Sequence, residues 1–499
     1  MRNKIVLSFI IILTLFLTIS IVSASENTTE CISSDENSTV EVLHDDNGSD
    51  NRSVSEISAS DKTSYVDYSD TFTVTLTSNG TALSNKQVLI TLNNVEYNKT
   101  TDSKGQASIS FKLKTGTYKV TYLFSGDGNY TSVNGTSTIT ILSDLVTKLS
   151  NADKDINYRE GSKTIFQLKL VDVYNNAVSS KTVKIKVNGK TYSAKTNSKG
   201  IATFYLKLKK GSNTIRAYFS QSGKYVASSN SFIVTAKAKL TKGNGYWVNK
   251  WDMKKVNLKK LKKLGTNHIF LQHTAFDKYG KATVLKWIKK AHKYGIKVHI
   301  WMAVFYKNGK YVHPSTKKGA YNYKHMNSII SKAKKYASYD GVDGIHFDYV
   351  RFGGNAYKYK NAVAAVNYFA KTASVKIHKI KPNHIVSAAV MPEPNDNKKY
   401  YGQDIPTMSK YMDAIIPMIY KGNYHASSKW IKKTTKKFVK QSNGAKIWSG
   451  LQTYKSDSNI KKLSYKALFK DAKNAKKGGA SGVVLFRWGL SKFLNFKKL

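Results

Sequence analysis

Cysteine is almost missing from this chain. Cys31 stands alone, so no disulfide can close within it and its folded parts must be held by packing. The residues before it, Asn27-Thr-Thr-Glu, do not form a lipoprotein attachment box, and Cys31 reads as a spectator thiol in a polar tail. Carboxylates are scarce as well: 31 Asp and Glu stand against 81 Lys and Arg, for a formal net charge of +50. Such a surface favours polyanionic surroundings. The lysines fall in pairs such as Lys259-Lys260, Lys262-Lys263 and Lys289-Lys290, the pattern of solvated helix faces. No nucleic-acid-binding motif accompanies them, so an acidic polymer is the expected counter-charge and a specific nucleic-acid partner is not.

Long apolar runs are confined to one place. Met1-Arg2-Asn3-Lys4 is basic, Ile5 to Val22 is apolar and Val22-Ser23-Ala24 offers small residues. This predicts a signal peptide over 1–24, cleaved after Ala24; the same run is long enough to serve instead as an uncleaved anchor. No later stretch could span a bilayer. The expected location is secreted or cell-surface, and the expected state is a monomer.

Large apolar residues are then few over 25–56, which predicts a disordered polar stalk. Glycosylation sequons begin there at Asn27, Asn37, Asn47 and Asn51 and continue at Asn79, Asn98, Asn129 and Asn134. From 57 to 237 helical periodicity is lacking, and short alternating runs are punctuated by Asn, Gly, Ser and Asp. Asp102-Ser-Lys-Gly-Gln-Ala-Ser-Ile-Ser-Phe-Lys-Leu-Lys114 reappears as Asn197-Ser-Lys-Gly-Ile-Ala-Thr-Phe-Tyr-Leu-Lys-Leu-Lys209. Thr73–Thr77 and Val183–Val187 alternate cleanly. The pattern predicts two β-sandwiches, at 57–142 and 143–237. The shared Ser-Lys-Gly core and the aromatic strand after it resemble the bacterial-type Ig-like repeats of archaeal adhesin-like surface proteins, which implies spacer modules.

Beyond Lys239 the texture changes. Eight apolar strand candidates, starting at Gly245, His268, Val298, Ile345, Ile385, Ala414, Ile447 and Val483, alternate with Lys-rich amphipathic stretches. This predicts a (β/α)8 TIM barrel over 241–499. An open doubly wound sheet is the other option, but no Gly-rich phosphate loop follows any strand. The predicted whole is multidomain, two all-β Ig-like sandwiches followed by the α/β barrel.

In this half the scarcity of carboxylates is useful, because Glu393 is its only glutamate. Ile345, Phe347 and Tyr349 alternate with His346, Asp348 and Val350, and Gly353-Gly354 stops the strand. Asp348 therefore sits near a C-terminal strand end, where barrel chemistry lies, and a carboxylate there needs a partner, water or substrate. A structural ion pair with Arg351 or a loop is the alternative. Glu393 continues the Ser387, Ala389, Met391 face just past the fifth strand. Asp343 and Asp413 precede their strands and belong at the opposite pole, in cap or turn roles; Asp252 and Asp396 are reserves. Glycoside hydrolysis needs two carboxyl groups, about 5–5.5 Å apart for retention and about 6.5–9.5 Å for inversion.

Trp247, Gln272, Trp301, His346, Tyr349, Arg351, Tyr420, Gln452, Arg487 and Trp488 fall at or near strand ends, as does Tyr454, and suit sugar binding. His268, His273, His299 and His346 with Asp348 would be the raw material of a deacetylase-like metal centre. They lack compact ligand spacing, so no metal and no cofactor are expected.

Asp343-Gly-Ile-His-Phe-Asp348-Tyr-Val-Arg-Phe352, Met412-Asp-Ala-Ile-Ile-Pro-Met-Ile-Tyr420 and Trp448-Ser-Gly-Leu-Gln-Thr-Tyr454 resemble segments of a secreted TIM-barrel glycoside hydrolase family marked by Asp-Tyr-Val-Arg-Phe. The resemblance implies a glycosidase site with Asp348 as its central carboxylate. It departs where Gly353 and Lys421 stand in place of that family's prolines. The resulting expectation is a surface hydrolase of wall or extracellular polysaccharide, with Asp348 as nucleophile or base and Glu393 as general acid. The competing class is a sugar-binding adhesin built on a degenerate barrel.

Overall fold

The computed structural model describes residues 51–499; the signal segment, Cys31, most of the stalk and its first three sequons lie outside them. Alternation builds the N-terminal part. In Gln106–Phe111 and Thr182–Val187 every second side chain is buried, as a half-solvated sheet requires. The first unit faces a four-stranded sheet with a five-stranded one across a core of Phe72, Val74, Ile90, Val120 and Ile139. The second faces three strands with four around Phe166, Leu168, Ile185, Phe204 and Ile215.

The repeated Ser-Lys-Gly core has a local cause. Asp102 Oδ1 accepts the amides of Lys104 and Gln106 at 2.8 and 2.9 Å. Asn197 Oδ1 accepts those of Lys199 and Ile201 at 2.9 and 3.0 Å. Both are Asx turns, and both need glycine at the fourth position. Gly105 and Gly200 have φ of +72° and +71°, and a Cβ there would lie 2.4 Å from Leu76 O or 2.5 Å from Leu170 O.

From Gly245 onward eight parallel strands close into a barrel. They are β1 (Gly245–Val248), β2 (His268–Gln272), β3 (Lys297–Ala303), β4 (Gly344–Asp348), β5 (Ile385–Val390), β6 (Ala414–Pro417), β7 (Lys446–Gln452) and β8 (Gly482–Phe486). Each is buried on both faces, which is why they read as apolar runs. Ile345 and Phe347 of β4 pack outward against the helices, as do Ile300, Val386 and Ile415. Trp247, Phe270, Ile416, Trp448 and Val484 fill the interior. The helices are amphipathic: Lys281–Lys293 buries Val284, Ile288 and Ala291, and Ser428–Gln441 buries Ile431, Thr434, Thr435 and Phe438. Most of their lysines face water. Asn257, Asn322 and Ser464 cap helix starts by accepting amide hydrogens. No helix among the described residues is long and apolar enough to cross a membrane.

The second β-unit docks on the barrel pole where strands begin, and Asp413 is the centre of that contact. Its Oδ1 accepts from Asn157 Nδ2 at 2.5 Å and Arg159 Nε at 2.6 Å. Its Oδ2 meets His378 Nε2 at 2.9 Å and the Val386 amide at 2.8 Å. The cap or turn role expected for Asp413 is thus replaced by a buried ionic hub. Burial alone would raise its carboxyl, but His378 and Arg159 hold it well below the ordinary range. Asp343, also expected in a cap or turn, accepts from the Val298 amide and His292 at 2.7 Å each. Removing one member of a buried pair leaves the other charge uncompensated. Asp413→Asn is expected to destabilise the chain by about 3–5 kcal/mol, read by urea unfolding; a change below about 1 kcal/mol would contradict this account of the junction.

Candidate active site

At the opposite pole the strand ends open into a cavity of about 520 Å³. Its lining includes Trp247 of β1, Trp301 of β3, Asp348 of β4, Ala389 of β5 and Phe486 of β8, with Met391, Tyr420 and Asp457 from the loops. Strand alternation turns Asp348 inward, but the next residue departs from the pattern. Tyr349 has φ of +53°, a left-handed conformation costly for a non-glycine residue. The kink ends the alternation. Tyr349, which alternation put on the face opposite Asp348, lines the cavity beside it, while Val350, expected on the Asp348 face, is buried in the outer core with Phe352.

Asp348 is only 9% exposed. Its Oδ1 accepts the Tyr349 amide at 2.7 Å and its Oδ2 accepts Trp301 Nε1 at 3.1 Å. Among the described residues it enters no ion pair, so the structural pair with Arg351 is not made. Burial pushes its carboxyl above the ordinary value, against the opposing pull of the Tyr349 amide, the Arg351 charge and the Trp301 N–H. A carboxyl in that state can hold a proton that it later gives up.

Glu393 is not among the cavity residues. The fifth strand ends at Val390, and the chain turns at Pro392 and Pro394, with the Glu393 carbonyl accepting the amides of Asp396 and Asn397 at 2.9 and 2.8 Å. Glu393 lines a neighbouring recess of about 260 Å³. Its Oε1 accepts Tyr424 Oη at 2.5 Å and Tyr401 Oη at 3.3 Å. Tyr424 lines both spaces.

The carboxylate that shares the cavity with Asp348 is Asp457, which sequence reasoning passed over. It sits in the turn of a hairpin, Tyr454–Ser456 and Asn459–Lys462, after β7. Four contacts fix it: Tyr454 Oη at 2.9 Å and Gln452 Nε2 at 3.3 Å to Oδ1, Asn423 Nδ2 at 2.8 Å to Oδ2, and its own amide to Asn423 Oδ1 at 2.9 Å. The residue is otherwise exposed. One carboxyl is dry and the other wet and hydrogen-bonded. Burial holds the Tyr420 phenol protonated well above its usual range, and Asp348, Tyr454 and Asp457 reinforce this.

Of the other sequence candidates, Trp247, Trp301, Tyr349, Arg351 and Tyr420 line the cavity. Gln452 lies beneath it, holding Asp457 and Asn423. Gln272 accepts the Lys250 amide at 3.2 Å, and Arg487 pairs with Asp252 at 3.4 Å; neither lines the cavity. Trp488 packs against the outer core. His346 is fully buried below, hydrogen-bonded to Ser387 at 2.9 Å. His268 and His299 bond to each other at 2.9 Å in the barrel interior, and His273 packs near Tyr336. Among the described residues no group of three His, Cys, Asp or Glu could hold a metal ion.

The sequence profile of a family described as "Putative glycosyl hydrolase domain" matches residues 277–446, from just after β2 to the first residue of β7. That stretch contains Asp348 and Glu393 but not Asp457. Among solved structures, the chain is similar to a β-glucuronidase of Bacteroides uniformis at 11% identity and TM-score 0.35, over 84% of this chain and 59% of that one. The chain thus spans less than two thirds of that enzyme's length. It is also similar to a class V chitinase from Pseudomonas fluorescens Pf-5 at 13% identity and TM-score 0.39, over 50% of this chain and 96% of that one. Likeness at this level carries no argument about chemistry, and the fold rests on the closed barrel itself. No curated protein matches the chain.

Proposed function

We propose that the barrel is a glycoside hydrolase, exported and acting on a wall or extracellular polysaccharide, with Asp348 and Asp457 as its two carboxyl groups. The observation that carries this is their contrast within one cavity: Asp348 buried and pushed up, Asp457 exposed and held by hydrogen bonds. Environment assigns different roles to paired carboxyls in this way. Asp348, protonated, gives its proton to the glycosidic oxygen as the bond from that oxygen to the anomeric carbon breaks. Asp457 faces the anomeric carbon as nucleophile or as the base that takes a proton from water. The oxygen of water ends on that carbon and the proton count closes. Trp301, Tyr420 and Phe486 supply apolar faces for pyranose rings, with Trp247 packed at the cavity floor, and the cationic exterior retains the enzyme on an acidic polymer. The profile match to a glycosyl hydrolase family over 277–446 supports the same reading.

This reading moves the general-acid role expected of Glu393 to Asp348, gives the nucleophile or base role expected of Asp348 to Asp457, and makes Asp457 rather than Glu393 the second carboxyl. Asp457→Asn is expected to lower release of reducing ends by about 10²-fold or more, while Glu393→Gln stays within a few-fold of the parent. The reverse ranking would return the role to Glu393. Tight polysaccharide binding with equal, negligible release by parent and variants would identify a sugar-binding adhesin instead.

A further inference from the structure

Three residues past Asp348, on the same lip of the cavity, Arg351 is built into an aromatic cage. Its guanidinium carbon lies 4.9 Å from the Tyr349 ring centre, 5.3 Å from Tyr311 and 5.7 Å from Tyr401. Nη1 donates to Tyr311 Oη at 2.5 Å and to the Phe352 carbonyl at 3.2 Å. Tyr311 arrives on a hairpin, Tyr306–Lys307 with Lys310–Tyr311, that comes after β3. Tyr306 stacks on Tyr349 at 4.5 Å and 16°. The side chain is therefore positioned by three separate segments.

What it lacks is a counter-charge. Among the described residues Arg351 enters no ion pair, Nε is buried without a partner and Nη2 has no hydrogen bond. A guanidinium carries N–H donors on all three nitrogens in a fixed fork that suits an oxyanion, and here only Nη1 is engaged. A cation placed in a partly dry site without a partner is unfavourable. The Asp348 charge lies close enough to be felt but not to pair, and it vanishes when Asp348 carries the proton of the proposed acid.

We infer that Arg351 reads an anionic substituent, a carboxylate, sulfate or phosphate, on a sugar bound in this cavity, so that the substrate is an anionic polysaccharide. This rests on the reading of the cavity as a sugar site. It differs from general attraction to the lysine-rich exterior, which is long-range and fades with salt, whereas a fork contact at short range persists.

Binding by the full chain carrying Asp348→Asn separates these effects, because cleavage is then removed from the measurement. The probes are cellohexaose and the same skeleton bearing C6 carboxylates, sulfates or phosphates, compared by calorimetry in roughly 0.5 M NaCl, where the screening length is about 4 Å. At least one charged form is expected to bind about 10- to 100-fold more tightly than cellohexaose, and the form that does so names the anion. Arg351→Gln should erase that preference, and Arg351→Lys should retain only part of it. Equal behaviour of all four probes, absence of binding included, would overturn the assignment. So would a preference that survives Arg351→Gln, since the surface lysines would then carry it. A parent protein that binds a charged form but never releases reducing ends would remove the hydrolase reading and leave this assignment in place. Cleavage of neutral polymer, unchanged by Arg351→Gln, would do the opposite.

Discussion

Asp348→Asn is expected to lower turnover of a polysaccharide substrate by about 10²- to 10⁴-fold, the range of a lost general acid, with binding retained. The cause is local. Asn fits the same space and its single carbonyl oxygen can still accept from the Tyr349 amide or from the Trp301 indole, one of the two contacts that the carboxyl makes, but it has no acid proton to deliver. The loss should shrink on aryl glycosides with acidic leaving groups, because their departing oxygen needs no proton. The parent should show an acidic pKa for Asp348 above the ordinary carboxyl value, in line with its burial. Activity would therefore fall as pH rises through that value, where the acid loses its proton. A variant equally impaired on both substrate types would instead point to a nucleophile at this position, the role first expected for it.

The second large effect is on stability in acid. Burial holds His268 and His346 near about 3 and His299 well below its usual 6.5. All three are neutral in the folded barrel. Once unfolded they take up protons as pH falls below 6.5, so the unfolded state binds more protons across the window from there to about 3. Stability is fully present above that window and is lost as pH falls through it, by about 1.4 kcal/mol per unit for each histidine. Asp348 acts in the opposite direction, because its folded form binds a proton first. Net stabilities are typically about 5–15 kcal/mol, so the barrel is expected to unfold between roughly pH 5 and 3. Urea unfolding from pH 7 to 4.5 gives the slope, and a His268→Leu/His299→Leu double variant should flatten it by about 3 kcal/mol per unit. An unchanged slope in that variant would place the acid sensitivity elsewhere.

Much of the architecture was legible because two periodicities differ. Period-two runs such as Val183–Val187 have one polar face. The barrel strands are apolar throughout and are separated by amphipathic stretches such as Lys281–Lys293. All eight strands lie where those runs predict, and Asp348 was legible because it breaks an apolar strand at its C-terminal end. The rest of the site was less so, for two reasons. Extending strand alternation past Val390 aimed Glu393 at the cavity, but the chain turns at Pro392 and Pro394 and Glu393 lines the next recess, its carboxylate held by Tyr424 and Tyr401. Asp457 lies in Ser456-Asp-Ser458, a stretch with the texture of any polar turn. Its position depends on Asn423, a loop away in space and 34 residues away in sequence. Nothing in local pattern encodes that contact, although Gln452 and Tyr454 beside it stood out as strand-end residues. The histidines were ambiguous for a related reason: alternation places them inside the barrel, but only tertiary packing decides that His268 meets His299 and His346 meets Ser387.

The central claim is that Asp348 and Asp457 together cleave a glycosidic bond. The most direct test is release of reducing ends from purified wall and extracellular polysaccharides by the full chain, alongside Asp348→Asn and Asp457→Asn, with binding of each protein measured in parallel. The expected result is release by the parent and loss of about 10²-fold or more in each variant, with binding intact in all three. Tight binding with no release by the parent on any anionic or neutral polymer, or release that survives both substitutions, would contradict it.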